Sequence, residues 1–162
     1  MAEAIVFRSA EEKDGRTITQ LRQRIWQTTY RGIYPDDLID DFDYVWHLEK
    51  DIKRIRSNKY LVFLILTDDI PIGYMILRKD NNLLLQSLYV LPRYQRWGIG
   101  AKAFALIRRL CKEENIQSFT CHCHPDNLSA ITFYQAMGGQ IVAYDINNDE
   151  RWQDSVILSF PV

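Results

Sequence analysis

The sequence predicts a mixed α/β (α+β) fold, a mostly antiparallel central sheet flanked by helices in the order β-α-α-β-β-β-α-β-α-β-β. Three observations carry that prediction. Apolar runs at residues 60–66, 70–77 and 83–91 are separated by short polar turns, the signature of a meander. Apolar residues recur at helical spacing before and after those runs. Strand and helix patterns alternate to the end without a repeat, low-complexity tract or linker, so residues 1–162 are expected to form one domain with helices on both sheet faces.

Taken in order, Ile5-Val6-Phe7-Arg8 is a short strand. Glu11, Glu12 and Asp14 lead into a helix, where acidic side chains suit the positive N-terminal dipole. Leu21, Ile25, Trp26, Thr29 and Tyr30 form its inward stripe, and Gly32 ends it. Pro35-Asp36-Asp37 starts another turn, and residues 43–56 form a helix with Val45, Leu48, Ile52 and Ile55 inward. Residues 60–66 are apolar on both faces and therefore central. Thr67-Asp68-Asp69 and Lys79-Asp80-Asn81-Asn82 are turns. A helix runs from near Gly98 to about Glu114, burying Ala101, Phe104, Ala105, Ile107 and Leu110. Residues 116–123 form a strand. Asp126-Asn127-Leu128-Ser129 opens a helix ending at Gly138-Gly139, and residues 140–146 and 152–160 are the last strands.

The bulk numbers exclude several classes. The chain has 162 residues, 47% hydrophobic and 25% charged, the range of an ordinary globular domain. A net charge of −1 offers no general attraction for nucleic acid or an anionic membrane. The longest apolar run, residues 60–66, is far short of the roughly 20 residues of a membrane helix. Met1-Ala2-Glu3-Ala4-Ile5-Val6-Phe7 lacks the basic and apolar regions of a secretory leader. Three cysteines without a spaced framework are expected to be free thiols, which points to a cytoplasmic protein.

The chemistry concentrates in residues 83–110. An apolar strand is followed by a polar loop with Gly98 and Gly100, then a helix. Glycines permit close backbone approach, and the first turn of a helix offers unpaired N–H groups and a positive dipole end, which together suit phosphate oxygens. Gly98-Ile99-Gly100-Ala101-Lys102-Ala103 fits the dinucleotide pattern G-x-G-x-x-A, but residues 92–97 separate it from its strand. The next strand ends in Cys121-His122-Cys123-His124, without the ribose-binding carboxylate. Gly100-Ala101-Lys102 is not a Walker G-K-[ST]. The Cys-His-Cys-His run alternates across a strand, so its cysteines and histidines face opposite ways, and no metal site is expected.

Gln95-Arg96-Trp97-Gly98-Ile99-Gly100 fits [QR]-x-x-G-x-[GA], and after Leu88-Tyr89-Val90-Leu91-Pro92 it resembles motif A of the GNAT superfamily of N-acetyltransferases. Residues 127–139 carry a second match: Asn127, Ala130, Phe133, Tyr134 and Gly138 stand at the positions of the family's N-x-x-A-x-x-F-Y-x-x-x-G segment. The element order matches the GNAT fold. The resemblance implies a transferase using acetyl-CoA as cosubstrate, with no metal, that acetylates a primary amine of a small molecule or peptide by direct transfer in a ternary complex. It implies that N–H groups of Gln95, Arg96, Trp97, Gly98, Ile99, Gly100 and Ala101 hold the CoA diphosphate. The family's bulged strand would pair Leu88, Tyr89 and Val90 with the pantetheine arm. Asn127 and Ala130 would stand beside that arm, although Asn127 also suits a helix N-cap. Tyr134 would protonate the departing thiolate.

The glutamate that many relatives carry about four residues before the position of Leu88 is missing; Leu84, Leu85, Gln86 and Ser87 supply no strong base. His124, at the end of its strand, is a candidate for that role. The gap also leaves open a non-catalytic acyl-CoA-binding module. Trp26, Tyr30 and Tyr34 sit in a segment resembling small-molecule and polyamine-type members, with Asp36, Asp37, Asp40, Asp41 and Asp43 following. That is either an aromatic, acidic mouth for a cationic amine or a core stripe beside a solvated face. The final strands are a candidate surface for a homodimer.

Overall fold

The computed structural model describes residues 4–162, so Met1-Ala2-Glu3 of the stretch read as lacking a leader lies outside the described residues. The elements are β1 (Ile5–Ser9), α1 (Gly15–Thr29), α2 (Asp36–Asp40), α3 (Tyr44–Arg56), β2 (Tyr60–Thr67), β3 (Ile70–Lys79), β4 (Leu83–Val90), α4 (Ile99–Glu113), β5 (Ser118–Cys123), α5 (Leu128–Ala136), β6 (Gln140–Asp145) and β7 (Ser155–Pro161). One sheet runs β1-β2-β3-β4-β5-β7-β6. Every neighbouring pair is antiparallel except β4 and β5.

The β2–β3 turn shows why the meander forms. Asp68 and Asp69 both take positive φ, 48° and 61°, the conformation that tight two-residue hairpin turns need and that Asp tolerates better than most residues. Strand alternation then sorts the apolar side chains into two cores. Met75, Leu77, Leu83, Leu85, Phe119, Cys121, Leu158 and Phe160 face α4 and α5. Val62, Leu64, Ile72, Tyr74 and Ile76 face α1. Burying each Leu or Ile contributes about 1.5–3 kcal/mol.

The helices differ from expectation in phase. The buried stripe of α4 is Ile99, Ala103, Phe104, Ile107 and Cys111, whereas Ala101 and Ala105 are exposed. Val45 of α3 is 62% exposed, and the fully buried side chain of this helix is Asp51. Buried Asp51 accepts hydrogen bonds from Thr19 (2.7 Å) and Arg22 of α1, and from Arg54 (3.3 Å). This polar clamp joins α1 to α3. The turn at Pro35 extends into the short helix α2, whose Ile39 is buried.

The C-terminal part also departs from the sequence pattern. Trp152 lies in a 3-10 turn, Arg151–Gln153, and not on a strand; Asp154 ties that turn to the Asn148 N–H at 3.1 Å. Of the two last strands only β6 is a sheet edge, with Val142 and Tyr144 exposed; β7 is interior, so a sheet-edge dimer would involve β6 alone. No helix among the described residues is long and apolar enough to cross a membrane.

Candidate functional site

The site begins with an irregularity in β4. Opposite β3, Ile76 pairs with Ser87 and Leu77 with Leu85, so Gln86 is an extra residue, a β-bulge. Opposite β5, pairing covers Leu83–Phe119, Leu84–Thr120 and Leu85–Cys121 and then stops. Both strands continue: β4 reaches Val90, while His122 and Cys123 stay paired to β7. The facing edges of residues 86–90 and 122–123 therefore separate, leaving unpaired strand backbone beside an opening. Gly73 supports β4 here from the other side. A Cβ on Gly73 would lie 2.3 Å from the Tyr89 carbonyl oxygen, so only glycine lets the two backbones approach this closely.

The opening is a cleft of about 520 Å³. It brings together Leu88, Tyr89, Val90, Gln95, Arg96, Gly98, Ile99, Gly100, Ala101, Asn127, Ala130, Tyr134 and Tyr30. At one end stands the loop before α4. Gln95 Nε2 donates to the Val90 carbonyl at 3.3 Å, anchoring the loop to the strand. Arg96 and Gly98 take positive φ, 68° and 75°, which turns successive backbone N–H groups toward one side. The α4 ladder begins with the Lys102 N–H donating to the Gly98 carbonyl, so the N–H groups of Ile99, Gly100 and Ala101 have no intrahelical acceptor. A Cβ on Gly98 would meet nothing within 4 Å, whereas one on Gly100 would lie 2.4 Å from the Phe133 ring. Gly98 thus keeps the mouth of the cradle open, and Gly100 seats α4 against α5. The arrangement fits an anionic diphosphate. Trp97 is 44% exposed, packs edge-on against Tyr94 with centroids 5.0 Å apart, and does not line the cleft.

Tyr134 stands on the α5 wall among Phe104, Phe133 and Phe160. Among the described residues its hydroxyl has no hydrogen-bond partner. Burial, then the neighbouring Cys121, Tyr89 and Cys123, hold its ionisation well above the usual phenol range. Asn127 Oδ1 accepts from the Ala130 N–H at 3.2 Å, so it is the N-cap of α5 as well as part of the cleft wall. Cys123 shares that wall, and burial pushes its thiol up to about 11.

The opposite wall is aromatic. The Tyr30 and Tyr89 hydroxyls are hydrogen-bonded to each other, and Tyr30 stacks on Tyr34 with centroids 4.2 Å apart and planes 9° from parallel. Burial raises the ionisation of all three. Trp26 does not reach the cleft; it packs edge-on behind the wall against Tyr30, Tyr34, Phe42 and His47. Tyr34 lines an adjoining depression of about 420 Å³ with Trp152, Asp36 and Glu150.

His124 is not brought to the cleft. It is 7% exposed, and its Nδ1 accepts from the Asp126 N–H at 3.0 Å. Nε2 therefore carries the proton and donates to the Arg151 carbonyl at 3.1 Å. β5 ends one residue earlier, at Cys123, and the turn at Pro125 carries the ring inward. The histidine that lines the cleft is His122. It is exposed, and among the described residues its ring makes no hydrogen bond. Counting one residue past the last β4–β5 rung identifies it, but the rung is a feature of the folded sheet.

The chain matches the acetyltransferase (GNAT) family over residues 18–139. It is 26% identical over 148 residues to the spermidine N(1)-acetyltransferase of Thermoplasma acidophilum, spanning 85% of this chain and 89% of that protein. It is 32% identical over 108 residues to N-alpha-acetyltransferase 50 of Danio rerio, spanning 63% and 62% of the two chains. Its fold matches that of PaiA N-acetyltransferase from Thermoplasma acidophilum, solved in complex with coenzyme A. The TM-score is 0.84 at 22% identity, over 98% of this chain and 99% of that one.

Proposed function

The chain belongs to the acetyltransferase (GNAT) family, and from that membership we propose that residues 1–162 act as one transferase unit moving acetyl from acetyl-CoA directly to a primary amine of a small polycationic acceptor of the polyamine type. The observation that carries this reading is the opening of the sheet at Leu85–Cys121 with the α4 N–H cradle at its end. An anionic diphosphate suits the cradle, and an extended amide-bearing arm suits the unpaired edge of residues 86–90. The thioester then lies between the Tyr134 wall and the Tyr30–Tyr89 wall.

Amine nitrogen attacks the thioester carbonyl, and the carbon–sulfur bond breaks. Tyr134, whose hydroxyl is otherwise unpartnered, donates to the sulfur as negative charge develops there. Direct transfer is favoured over an acetyl-enzyme because the cleft's thiol, Cys123, stays protonated at neutral pH and is a poor nucleophile. Family membership favours catalysis over a binding-only module.

The polyamine class rests on the named activity of the 26%-identical relative and on charge at the acceptor end. Asp36 and Glu150 border the Tyr34–Trp152 depression beside Arg151, whose guanidinium pairs with Asp126 at 2.8 Å, and Asp37, Asp40, Asp41 and Asp43 follow nearby in sequence. Arg31 pairs with Asp36 and Asp40 at 3.2 and 2.9 Å and Asp43 caps α3, which leaves Glu150, with Asp37 and Asp41 of the segment, as attractors for a distal ammonium.

A free-thiol assay with acetyl-CoA and spermidine, spermine, putrescine and a short peptide tests the acceptor. Turnover on the polyamines is expected; turnover on the peptide alone overturns the class. Titration calorimetry of Gly98→Glu tests the cradle, because that side chain and charge would enter its open mouth. Loss of acetyl-CoA binding by the folded variant is expected, and wild-type affinity would contradict the assignment.

A further inference from the structure

We infer that His122 is the general base of the transfer, taking the acceptor's ammonium proton directly or through one water. This rests on the acetyltransferase reading of the cleft and names a residue that the sequence pattern left unassigned.

Elimination is the first support. The titratable side chains lining the cleft are Tyr30, Tyr89, Tyr94, Tyr134, Arg96, Cys123 and His122, with no carboxylate among them. Burial holds Tyr30, Tyr89 and Tyr134 protonated, and likewise the Cys123 thiol. A guanidinium has no lone pair to offer. Imidazole is the one side chain of the set that accepts a proton near neutral pH.

Placement is the second. His122 is the first β5 residue beyond the last rung to β4, so it borders the gap where the strands separate. Cys121 and Cys123 face the core shared with Tyr134. Alternation directs His122 to the other face, the one that Tyr89 shares with Ile25 of α1. Acid and base thus flank the gap from opposite faces of the sheet, so that separate groups serve the sulfur and the nitrogen of one tetrahedral adduct.

Protonation state is the third. Partial burial is the main influence lowering His122 from its ordinary value of 6.5; Arg78 of β3 adds to it and Asp145 of β6 opposes it. The ring is therefore free to accept at neutral pH. The acceptor nitrogen gives up two protons in each turnover: His122 takes the first from the ammonium and releases it to solvent, and the second, lost from nitrogen as the tetrahedral adduct collapses, returns through water to Tyr134, which has given its own proton to sulfur.

The test is His122→Gln, assayed by CoA thiol release and by calorimetry with acetyl-CoA. His122 is exposed and makes no hydrogen bond among the described residues, so the variant is expected to fold. We expect kcat to fall about 10²-fold or more with acetyl-CoA affinity unchanged. Because His122 takes its proton from bound ammonium, wild-type log kcat/KM should rise with slope about one only up to the pKa of His122 and then stay level through neutral pH, whereas in the variant it should keep rising with slope about one toward the amine's own pKa. A merely structural role would not change that profile. Wild-type kcat and profile in His122→Gln overturn the base while leaving the acetyltransferase reading intact. Absence of CoA release from the wild-type protein with every amine overturns both.

Discussion

Gly100 and Phe133 touch where α4 meets α5: the missing Cβ of Gly100 would sit 2.4 Å from the ring's tip and 2.8 Å from its next carbon. The helix that supplies the cradle N–H groups and the helix that supplies Tyr134 meet at this contact, beside the Phe104 ring. Gly100→Ala should therefore act on both. Overpacking of this kind costs about 1–3 kcal/mol, and about 2–4 °C in Tm per kcal/mol for a chain of this size. Calorimetry should show that loss together with weaker acetyl-CoA binding. Unchanged Tm and affinity would mean that Phe133 moves aside without consequence.

Tyr134→Phe removes the unpartnered hydroxyl and keeps the ring packed against Phe104 and Phe160. Turnover should drop about 10²-fold or more, as expected for loss of a positioned acid, with acetyl-CoA affinity nearly unchanged. Wild-type kcat across the acceptor panel would remove the hydroxyl from the chemistry.

Asp51 is buried beneath α1 and α3 and compensates Arg22. Asp51→Ala leaves that guanidinium buried and alone, a change that costs about 3–5 kcal/mol. The double variant Arg22→Met, Asp51→Leu should recover most of the loss, because burying two charges offsets much of what their attraction gains. Urea unfolding of the two variants measures the difference; equal stability of single and double variants would contradict the account.

His47 stacks on Phe42 at 4.2 Å. Burial, followed by Arg22, lowers its pKa from 6.5 to about 4. Because the folded value lies below the unfolded one, the unfolded chain binds the proton first. The contribution is fully present above pH 6.5 and is lost as pH falls from there to about 4. Wild-type Tm should decline across that window more steeply than that of His47→Gln. Parallel curves would show that the ring's burial is not coupled to stability.

The strands, the long helices and the cradle were legible because each is written in local chemistry: alternation, helical spacing, turn residues and a glycine loop before an apolar stripe. What escaped depends on partners far away in the chain. His124 and His122 are equivalent by alternation, and bonds with the Asp126 N–H and, across 27 positions, the Arg151 carbonyl hold His124 out of the cleft. Gly100 reads as a ligand-facing glycine until Phe133 is seen against it. Trp26, Tyr30 and Tyr34 share a helical spacing, yet only Tyr30 reaches the cleft, because Tyr34 stacks behind it and Trp26 is packed among four rings. The resemblance implied a bulged strand, but the bulge's place at Gln86 is visible only in the register with β3, where Ile76 pairs with Ser87 and Leu77 with Leu85.

The short β4–β5 ladder also divides the sheet mechanically. Four strands lie on one side of it and three on the other, and three rungs form the backbone seam between them. A cosubstrate lying along the unpaired edges would stitch that seam further, contacting β4, α4 and α5 at once. Saturation at about 100 times Kd stabilises a protein by about 2.7 kcal/mol through mass action alone. Here the gain should appear unevenly, as slowed amide exchange concentrated at residues 86–90 and 122–123.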